Sequence, residues 1–358
     1  LRAFFADLGL LGKVMGDVCK EAGSAVSVCA LTRSTGLSLA ETLALTAERR
    51  GVDAGALVGR ATTFFSYSWT GTRLGDMLAA VERTLGELEA ADGVRRYVWI
   101  DMFAASQTLL AGEFRDDAAH PRGSAGYLAR KEDTDHIFDD ALEAIDELLL
   151  YCSPLTAAWE APPHAFLLPD RGEPRANWTR HGPGAMTRAW CMFEMVKALA
   201  KGARLHVVLA PADADGFERL LVERFEAIAG IVAGVDARDA QISKVDDREY
   251  ILGEVAKLEG GLGAVTAGVC AALRGWLAEQ GRAALGRLPA AERGTSKLIN
   301  NVARMLKDMG ELAEAEALYR EAVEACRAAL GNWDPKTLFS MAGLAEVLLH
   351  EGEYGAAE

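Results

Sequence analysis

The carboxyl-terminal part of the chain repeats itself, and this repeat restricts the possible folds more than any other feature. Apolar, glycine and acidic positions recur at a constant spacing of 42 residues: Val302 as Leu344, Leu306 as Leu348, Gly310 as Gly352 and Glu316 as Glu358. Periods of about 20–50 residues are typical of stacked units that cannot bury their apolar faces alone. The sequence therefore predicts stacked pairs of helices here.

Residues 298–329 have the pattern of one such pair. Leu298, Val302 and Leu306 recur every four residues, and Gly310 follows them as a residue that tolerates positive φ and ends the helix. The second helix has an inner stripe of small and apolar residues, which are Ala315, Leu318, Tyr319, Ala322 and Cys326. We expect the alanines in this stripe, Ala315 and Ala322, to face the first helix.

Residues 315–338 have the sequence AEALYREAVEACRAALGNWDPKTL, and residues 344–358 have the sequence LAEVLLHEGEYGAAE. These two stretches resemble the tetratricopeptide (TPR) repeats of the kinesin-light-chain type. Asp334 departs from those repeats, which usually have His before the Pro. The resemblance implies the start of an all-α TPR solenoid over residues 291–358 that binds a protein partner. Because a stable solenoid needs about three repeats, we expect the sequence to be part of a longer protein.

The composition of the chain limits which binding partners are expected and which cellular compartment suits the protein. A net charge of −14 argues against nucleic acid and anionic membrane as partners, and no stretch approaches the ~18–20 apolar residues of a membrane span. The six cysteines are far apart and lie mostly in apolar runs, as expected in the reducing cytoplasm. Histidines are equally scattered, so we expect no metal site.

The remainder of the chain divides into three parts. Residues 1–60 are expected to be a helical segment in which Ser38 caps one helix, and residues 214–290 a helical connector. Between them, residues 61–213 alternate β-like runs with helical patterns, which predicts an α/β domain with a parallel sheet. The runs are residues 61–68, 96–103, 147–153 and 203–210.

Two long irregular segments, residues 104–131 and 154–183, follow the second and third β-like runs. In open α/β sheets, the loops that leave the carboxyl ends of the strands form the ligand crevice. Both segments should therefore border a crevice at that edge of the sheet.

Two short signatures stand out in this domain. The first is FSYSWTGTR at residues 65–73, a strand end with Ser and an aromatic residue that is followed by Thr-Arg. The second is RAWCMFEM at residues 188–195, which contains a Trp-Cys-x-x-Glu pattern. Together they resemble the TIR domain, the module of Toll, interleukin and plant-resistance receptors. The run VWIDMFAASQ also resembles TIR-like domains that are fused to TPR repeats. The two irregular segments depart from the usual TIR pattern.

The TIR resemblance implies a five-stranded, flavodoxin-like parallel sheet with flanking helices and a capacity for self-association. In enzymatic TIR domains the Glu of this pattern cleaves the nicotinamide–ribose bond of NAD. Glu194 is then the candidate catalytic residue, with NAD as a substrate and not as a resident cofactor. A carboxylate suits the reaction because loss of nicotinamide leaves an oxocarbenium-like ribose. The candidates for contacting the substrate are Ser66, Tyr67, Trp69, Arg73, Asp101 and Trp190.

Each of these residues also has a purely structural interpretation. Glu194 can pair with Lys197 one helical turn later, a contact worth roughly 0.2–0.5 kcal/mol. Trp190 can be a core anchor, Asp101 a loop cap, and Trp69 a residue packed under a loop, while Arg73 can end a helix in solvent.

Three functions therefore remain open. The chain can be a cytoplasmic signalling adaptor whose TIR-like domain only associates, an NAD glycohydrolase activated by clustering, or a cargo adaptor like kinesin light chain. A carboxylate at Glu194 that faces an open cleft favours the enzyme. A buried Glu194 paired with lysine favours the association module.

Overall fold

A computed structural model describes residues 1–20, 26–32, 37–56, 58–105, 107, 137–161, 164–172, 178–245, 247–350 and 352. They form two compact units, one of Leu1–Pro211 with Asp236–Thr266 and the other of Ala212–Val235 with Ala267–Glu358. The predicted amino-terminal helical segment thus lies in the same unit as the α/β region. The predicted connector is divided between the two units.

The first unit is built around a parallel sheet. The described strands are β1 (Thr63–Ser66), β2 (Val98–Trp99), β3 (Glu147–Tyr151), β4 (Ala158–Ala161), β5 (Ala165–Phe166), β6 (Trp178–His181), β7 (Arg204–Val208) and β8 (Gln241–Ile242). Four of them form one sheet in the order β2–β1–β3–β7, and every neighbouring pair in it is parallel. The predicted parallel pairing of the four β-like runs is confirmed. The resemblance implied five strands, whereas this sheet has four among the described residues.

The strands at the centre of the sheet are buried along their whole length. Every residue of β1 and β3 is buried, as expected for strands that are covered on both faces. In register, Phe64 of β1 lies between Trp99 of β2 and Leu148 of β3. The carboxyl ends of β1 and β2 therefore lie side by side.

Helices surround this sheet, and their ends follow the sequence signals. Ser38 caps its helix in a capping box: its hydroxyl accepts from the Glu41 N–H (3.1 Å) and its N–H donates to the Glu41 carboxylate (2.8 Å). Gly93, with φ of 71°, ends the helix Leu74–Asp92. The described helices of this unit are Arg2–Asp7, Met15–Lys20, Val28–Thr32, Leu39–Arg49, Leu74–Asp92, Asp101–Ala104, residues 137–143, Ala189–Ala200 and Asp247–Val255.

The segment 154–183 differs from its prediction as an irregular loop. It contains β4, β5 and β6, of which β4 and β6 pair antiparallel with each other, while β5 pairs antiparallel with β8. The described parts of these strands have two to four residues, which is too short for a visible alternation of apolar and polar positions. Most of the other predicted loop, residues 108–131, lies outside the described residues.

The second unit is helical throughout its described part. Three helices carry the repeats, and we name them the first (Lys297–Asp308), second (Leu312–Leu330) and third (Pro335–His350) repeat helices. The prediction of paired helices is confirmed for residues 298–350. The remaining helices are most of Pro211–Ala233, most of Gly261–Arg287, and Ala290–Arg293.

One helix, Gly261–Arg287, corrects the prediction that no segment is apolar enough to cross a membrane. Its most apolar window of 18 residues has a mean hydropathy of 1.3, and a third of that window is buried. Many of its residues are alanine and glycine, which raise the mean hydropathy without forming an obvious run of large apolar side chains. Core helices of soluble proteins satisfy the same criterion of length and composition.

The buried stripe of the second repeat helix leads to a stability prediction. Ala315 is fully buried, whereas Ala317 on the same helix is exposed. Replacement of Ala315 with Leu should overpack the helix pair and lower the free energy of unfolding by about 1–3 kcal/mol. Thermal unfolding of Ala315→Leu against the matched control Ala317→Leu measures this effect. Equal melting temperatures for the two variants would show that Ala315 does not lie at a tight crossing.

Candidate functional site

The Glu194 carboxyl group lies against the carboxyl end of β1. Glu194 is in the second turn of the helix Ala189–Ala200, and the Ser66 hydroxyl donates a 2.6 Å hydrogen bond to its Oε2. Both residues are buried, and Glu194 is only 7 % exposed. The side chain faces the strand end, as a catalytic Glu194 would, but it is closed to solvent, whereas a substrate site would be partly open.

This environment changes the ionisation of Glu194. Burial raises the pKa of its carboxyl group to about 8, the hydrogen bond from Ser66 opposes this rise, and the charge of Asp101 adds to it. The carboxyl group is therefore mainly protonated at pH 7. In this form it can donate a proton, but it cannot stabilise a cation as a carboxylate does.

A second acidic side chain, Asp101, joins the ends of β1 and β2. Its Oδ1 accepts from the Tyr67 hydroxyl (2.7 Å) and from the N–H of Met102 (2.6 Å), and its Oδ2 accepts from the Trp69 indole (2.9 Å). Burial raises the pKa of Asp101, and these hydrogen bonds oppose the rise. Burial also raises the pKa of Tyr67, and the charge of Asp101 adds to that shift. We call the group that the structure brings together at this edge the strand-end cluster: Ser66, Tyr67, Trp69, Asp101 and Glu194.

The other two predicted contact residues lie outside these hydrogen bonds. The Trp190 ring stacks on Tyr250 with centroids 5.6 Å apart, and its indole N–H donates to Asp247 (2.9 Å). Arg73 is at the N-cap position of the helix Leu74–Asp92 and is exposed. Their environments agree with the structural interpretations, a packing anchor and a solvated helix end.

Lys197 does not pair with Glu194. Its ammonium group lies 2.5 Å from Asp139 and 3.3 Å from Glu254, and 4.8 Å from the centre of the Phe193 ring. The predicted alternative of a Glu194–Lys197 contact is therefore wrong, because two other carboxylates hold the lysine while Ser66 holds Glu194.

Residues from distant parts of the chain lie against the loop that follows β1. A Cβ atom placed on Gly184 would lie 2.9 Å from the Ser68 Cβ, so the backbone at Gly184 packs directly on Ser68. His164 Nε2 lies 3.3 Å from the Thr70 hydroxyl. Burial lowers the pKa of His164 to about 4, so the imidazole is neutral at pH 7. The Gly-Pro-Gly sequence at residues 182–184 was a visible signal for this close approach, whereas the position of His164 had none.

The comparisons with known proteins concern the second unit. Residues 294–358 match the sequence model of the tetratricopeptide repeat family, so the predicted TPR repeat is present. Repeats of this family generally mediate protein–protein interactions, which makes protein binding the function class of this region. The chain has no match among curated proteins or among solved structures.

Proposed function

We propose that this protein is a cytoplasmic signalling adaptor. Its repeats, of the kinesin-light-chain type, bind a protein partner, and its α/β unit is a TIR-like, flavodoxin-like module that associates with other copies. The observation that carries this proposal is the tetratricopeptide match at residues 294–358, on helices that are paired as such repeats require. The parallel strand order β2–β1–β3–β7 and the two TIR-like signatures support the second half of the proposal.

The surface of the repeats provides the test of partner binding. Trp333, between the second and third repeat helices, is 88 % exposed, and Phe339 on the third is 55 % exposed. Exposed aromatic side chains are frequent centres of binding energy. We expect the double variant Trp333→Asp, Phe339→Asp to lower the yield of cross-linked partner by roughly tenfold or more.

The experiment uses cross-linking in cells, capture of the full chain and quantitative mass spectrometry. Leu45→Asp is the matched control, because it also places a charge on an exposed apolar residue, in the first unit. Proteins lost from the double variant but retained by the control are partners of the repeats. An identical set of proteins from all three chains would contradict binding through this surface.

The raised pKa values in the strand-end cluster support a second candidate, an NAD glycohydrolase that is activated by clustering. Ionisable groups with shifted pKa values gather at functional sites, and Asp101, Tyr67 and Glu194 all have raised pKa values. In this candidate Glu194 acts on the nicotinamide–ribose bond while Ser66, Tyr67, Trp69 and Asp101 contact the substrate. The burial and protonation of Glu194 rank this candidate second, since NAD could reach the group only after the site opens.

A third candidate, a cargo adaptor like kinesin light chain, rests only on the resemblance of the repeats. It predicts the same partner-binding surface and no role for the strand-end cluster. Cross-linked partners that include a motor subunit would favour it over the signalling adaptor.

A further inference from the structure

Two cysteine side chains are in contact in the helical part of the first unit. The sulfur atoms of Cys19 and Cys29 are 3.9 Å apart, and both thiols are buried. They belong to neighbouring helices, Met15–Lys20 and Val28–Thr32, which pack against each other. A disulfide has a bond length of about 2.05 Å, so the two sulfur atoms must approach by only about 2 Å to form one.

Hydrogen bonds connect this pair to the strand-end cluster. The Cys19 thiol donates to the side-chain oxygen of Gln107 (3.4 Å). The Gln107 amide donates to the backbone oxygens of Asp101 (2.8 Å) and Ala105 (3.3 Å). Gln107 therefore holds the backbone turn whose first residue, Asp101, accepts hydrogen bonds from Tyr67 and Trp69.

We propose that Cys19 and Cys29 are an oxidative modification site, a dithiol that hydrogen peroxide converts into a disulfide. Formation of the bond removes the Cys19 S–H donor and so loosens Gln107 and the turn at Asp101. This inference is independent of the proposed function, because it requires neither a partner nor a substrate. In reducing compartments such disulfides are usually transient and serve redox sensing.

The reaction balances with peroxide as the only oxidant. One thiol, as its thiolate, attacks a peroxide oxygen; the O–O bond breaks, and the products are a sulfenic acid and one water. The sulfur of the second cysteine then attacks the sulfenic sulfur; the S–O bond breaks, the S–S bond forms, and a second water leaves. The dithiol loses two electrons, and its two protons leave in the waters.

Local opening gives peroxide access to the buried thiols. The described parts of the two helices have 6 and 5 residues, below the ~12–15 residues at which an isolated helix becomes stable. Tertiary packing alone holds them, and such segments open more readily than a core strand. We therefore expect oxidation in native buffer, more slowly than at an exposed thiol.

Peptide mapping of the full chain tests the proposal. The protein is treated with hydrogen peroxide in native buffer, quenched, unfolded, alkylated and cleaved with trypsin. Lys13, Lys20 and Arg33 place the two cysteines in separate peptides, residues 14–20 and 21–33. The expected main oxidation product is a linked pair of these peptides that dithiothreitol separates. Cys29→Ser should abolish the link, and Cys326→Ser, the matched control in the second unit, should retain it.

A second measurement tests the connection to Asp101. Backbone hydrogen exchange at residues 101–105 should be roughly fivefold faster in the oxidised protein, as expected for the loss of one hydrogen bond, and should return after reduction. Recovery of Cys19 and Cys29 unlinked while other thiols are oxidised, or a link that forms only in urea, would overturn the modification site. A link with unchanged exchange would overturn its connection to the strand-end cluster. The outcomes that overturn the proposal are all measured on the wild-type chain, so they do not depend on the folding of a variant.

Discussion

Replacement of Glu194 with Gln should remove a large pH dependence from the stability of the first unit. Gln has nearly the same shape and still accepts the hydrogen bond that Ser66 donates to Glu194, but it does not ionise. In the wild type, burial raises the pKa of the carboxyl group from 4.5 to about 8. The folded state therefore retains a proton that the unfolded chain releases.

The sign of the effect follows from this difference in proton binding. Below pH 4.5 both states are protonated and the stability associated with neutral Glu194 is fully present. As the pH rises towards 8, the unfolded state binds fewer protons than the folded state, so the free energy of unfolding falls. At 1.36 kcal/mol for each unit of pKa, the loss reaches at most about 5 kcal/mol by pH 8. Glu194→Gln should then be the more stable protein above neutral pH.

Urea unfolding followed by tryptophan fluorescence at a series of pH values measures this prediction. Glu87→Gln is the matched control, because this glutamate is a surface side chain paired with Arg83. The control should follow the wild-type profile. Parallel profiles for Glu194→Gln and the wild type would mean that Glu194 is not a buried, neutral carboxyl group.

Replacement of Arg96 with Met should destabilise the first unit by about 3–5 kcal/mol, because it leaves a buried carboxylate without its main partner. Arg96 Nε and Nη2 donate to the two oxygens of Glu147 at 2.6 and 2.9 Å. The Arg96 side chain is only 3 % exposed. These bonds hold the pKa of Glu147 below its usual range, so Glu147 stays charged and needs the cation.

Arg204 provides the matched control for this substitution. It also donates to Glu147, at 2.6 Å, but its side chain is 66 % exposed. Exposed ion pairs contribute about 0–1 kcal/mol, so Arg204→Met should have a small effect. Denaturant unfolding of both variants and the wild type at pH 7 measures the two losses in free energy of unfolding. Equal losses, or a loss below about 1 kcal/mol for Arg96→Met, would contradict the assignment of Arg96 as the main partner.

Two rules account for the parts of the fold that the sequence predicts correctly. The first is the spacing of apolar residues along the chain, and the second is that parallel strands end at the same edge of a sheet. The buried runs of β1 and β3 and the 42-residue recurrence in the repeats are local patterns. Ser66 and Asp101 lie towards the carboxyl ends of the first two predicted β-like runs, and parallel strands bring such positions to one edge of a sheet. Ser66, Tyr67, Trp69 and Asp101 could therefore be predicted to lie near one another, and the TIR-like motif added Glu194 to them.

The sequence could not predict that the strand-end cluster is closed to solvent, because this depends on residues that are distant in the chain. His164 and Gly184 lie far from β1 in the chain. The Gly-Pro-Gly sequence at residues 182–184 signals a close backbone approach but does not identify Ser68 as its partner, and nothing local to His164 indicates contact with Thr70. Strand β5 also pairs with a strand that is distant in the chain. Its partner, β8, lies within residues 214–290, which the sequence predicted to be a helical connector. Trp190 was placed with the substrate contacts because of its motif, but Tyr250 and Asp247 determine its position.

Burial also changes the chemistry that the motif implies. A carboxylate is needed to stabilise a developing positive charge on ribose, and the folded chain holds Glu194 protonated at pH 7. For catalysis, clustering would have to open the site and return the pKa of Glu194 towards its usual range. An association module requires neither change, which is why the closed strand-end cluster favours it.

Nicotinamide release from NAD by the clustered full chain separates these two functions most directly. The protein is cross-linked through a dimerising tag or concentrated on a surface and incubated with NAD, and free nicotinamide is quantified by chromatography. Glu194→Ala, clustered in the same way, gives the background. The association module predicts that the wild type releases no more nicotinamide than this variant. Release by the wild type that Glu194→Ala abolishes would contradict it and establish the glycohydrolase.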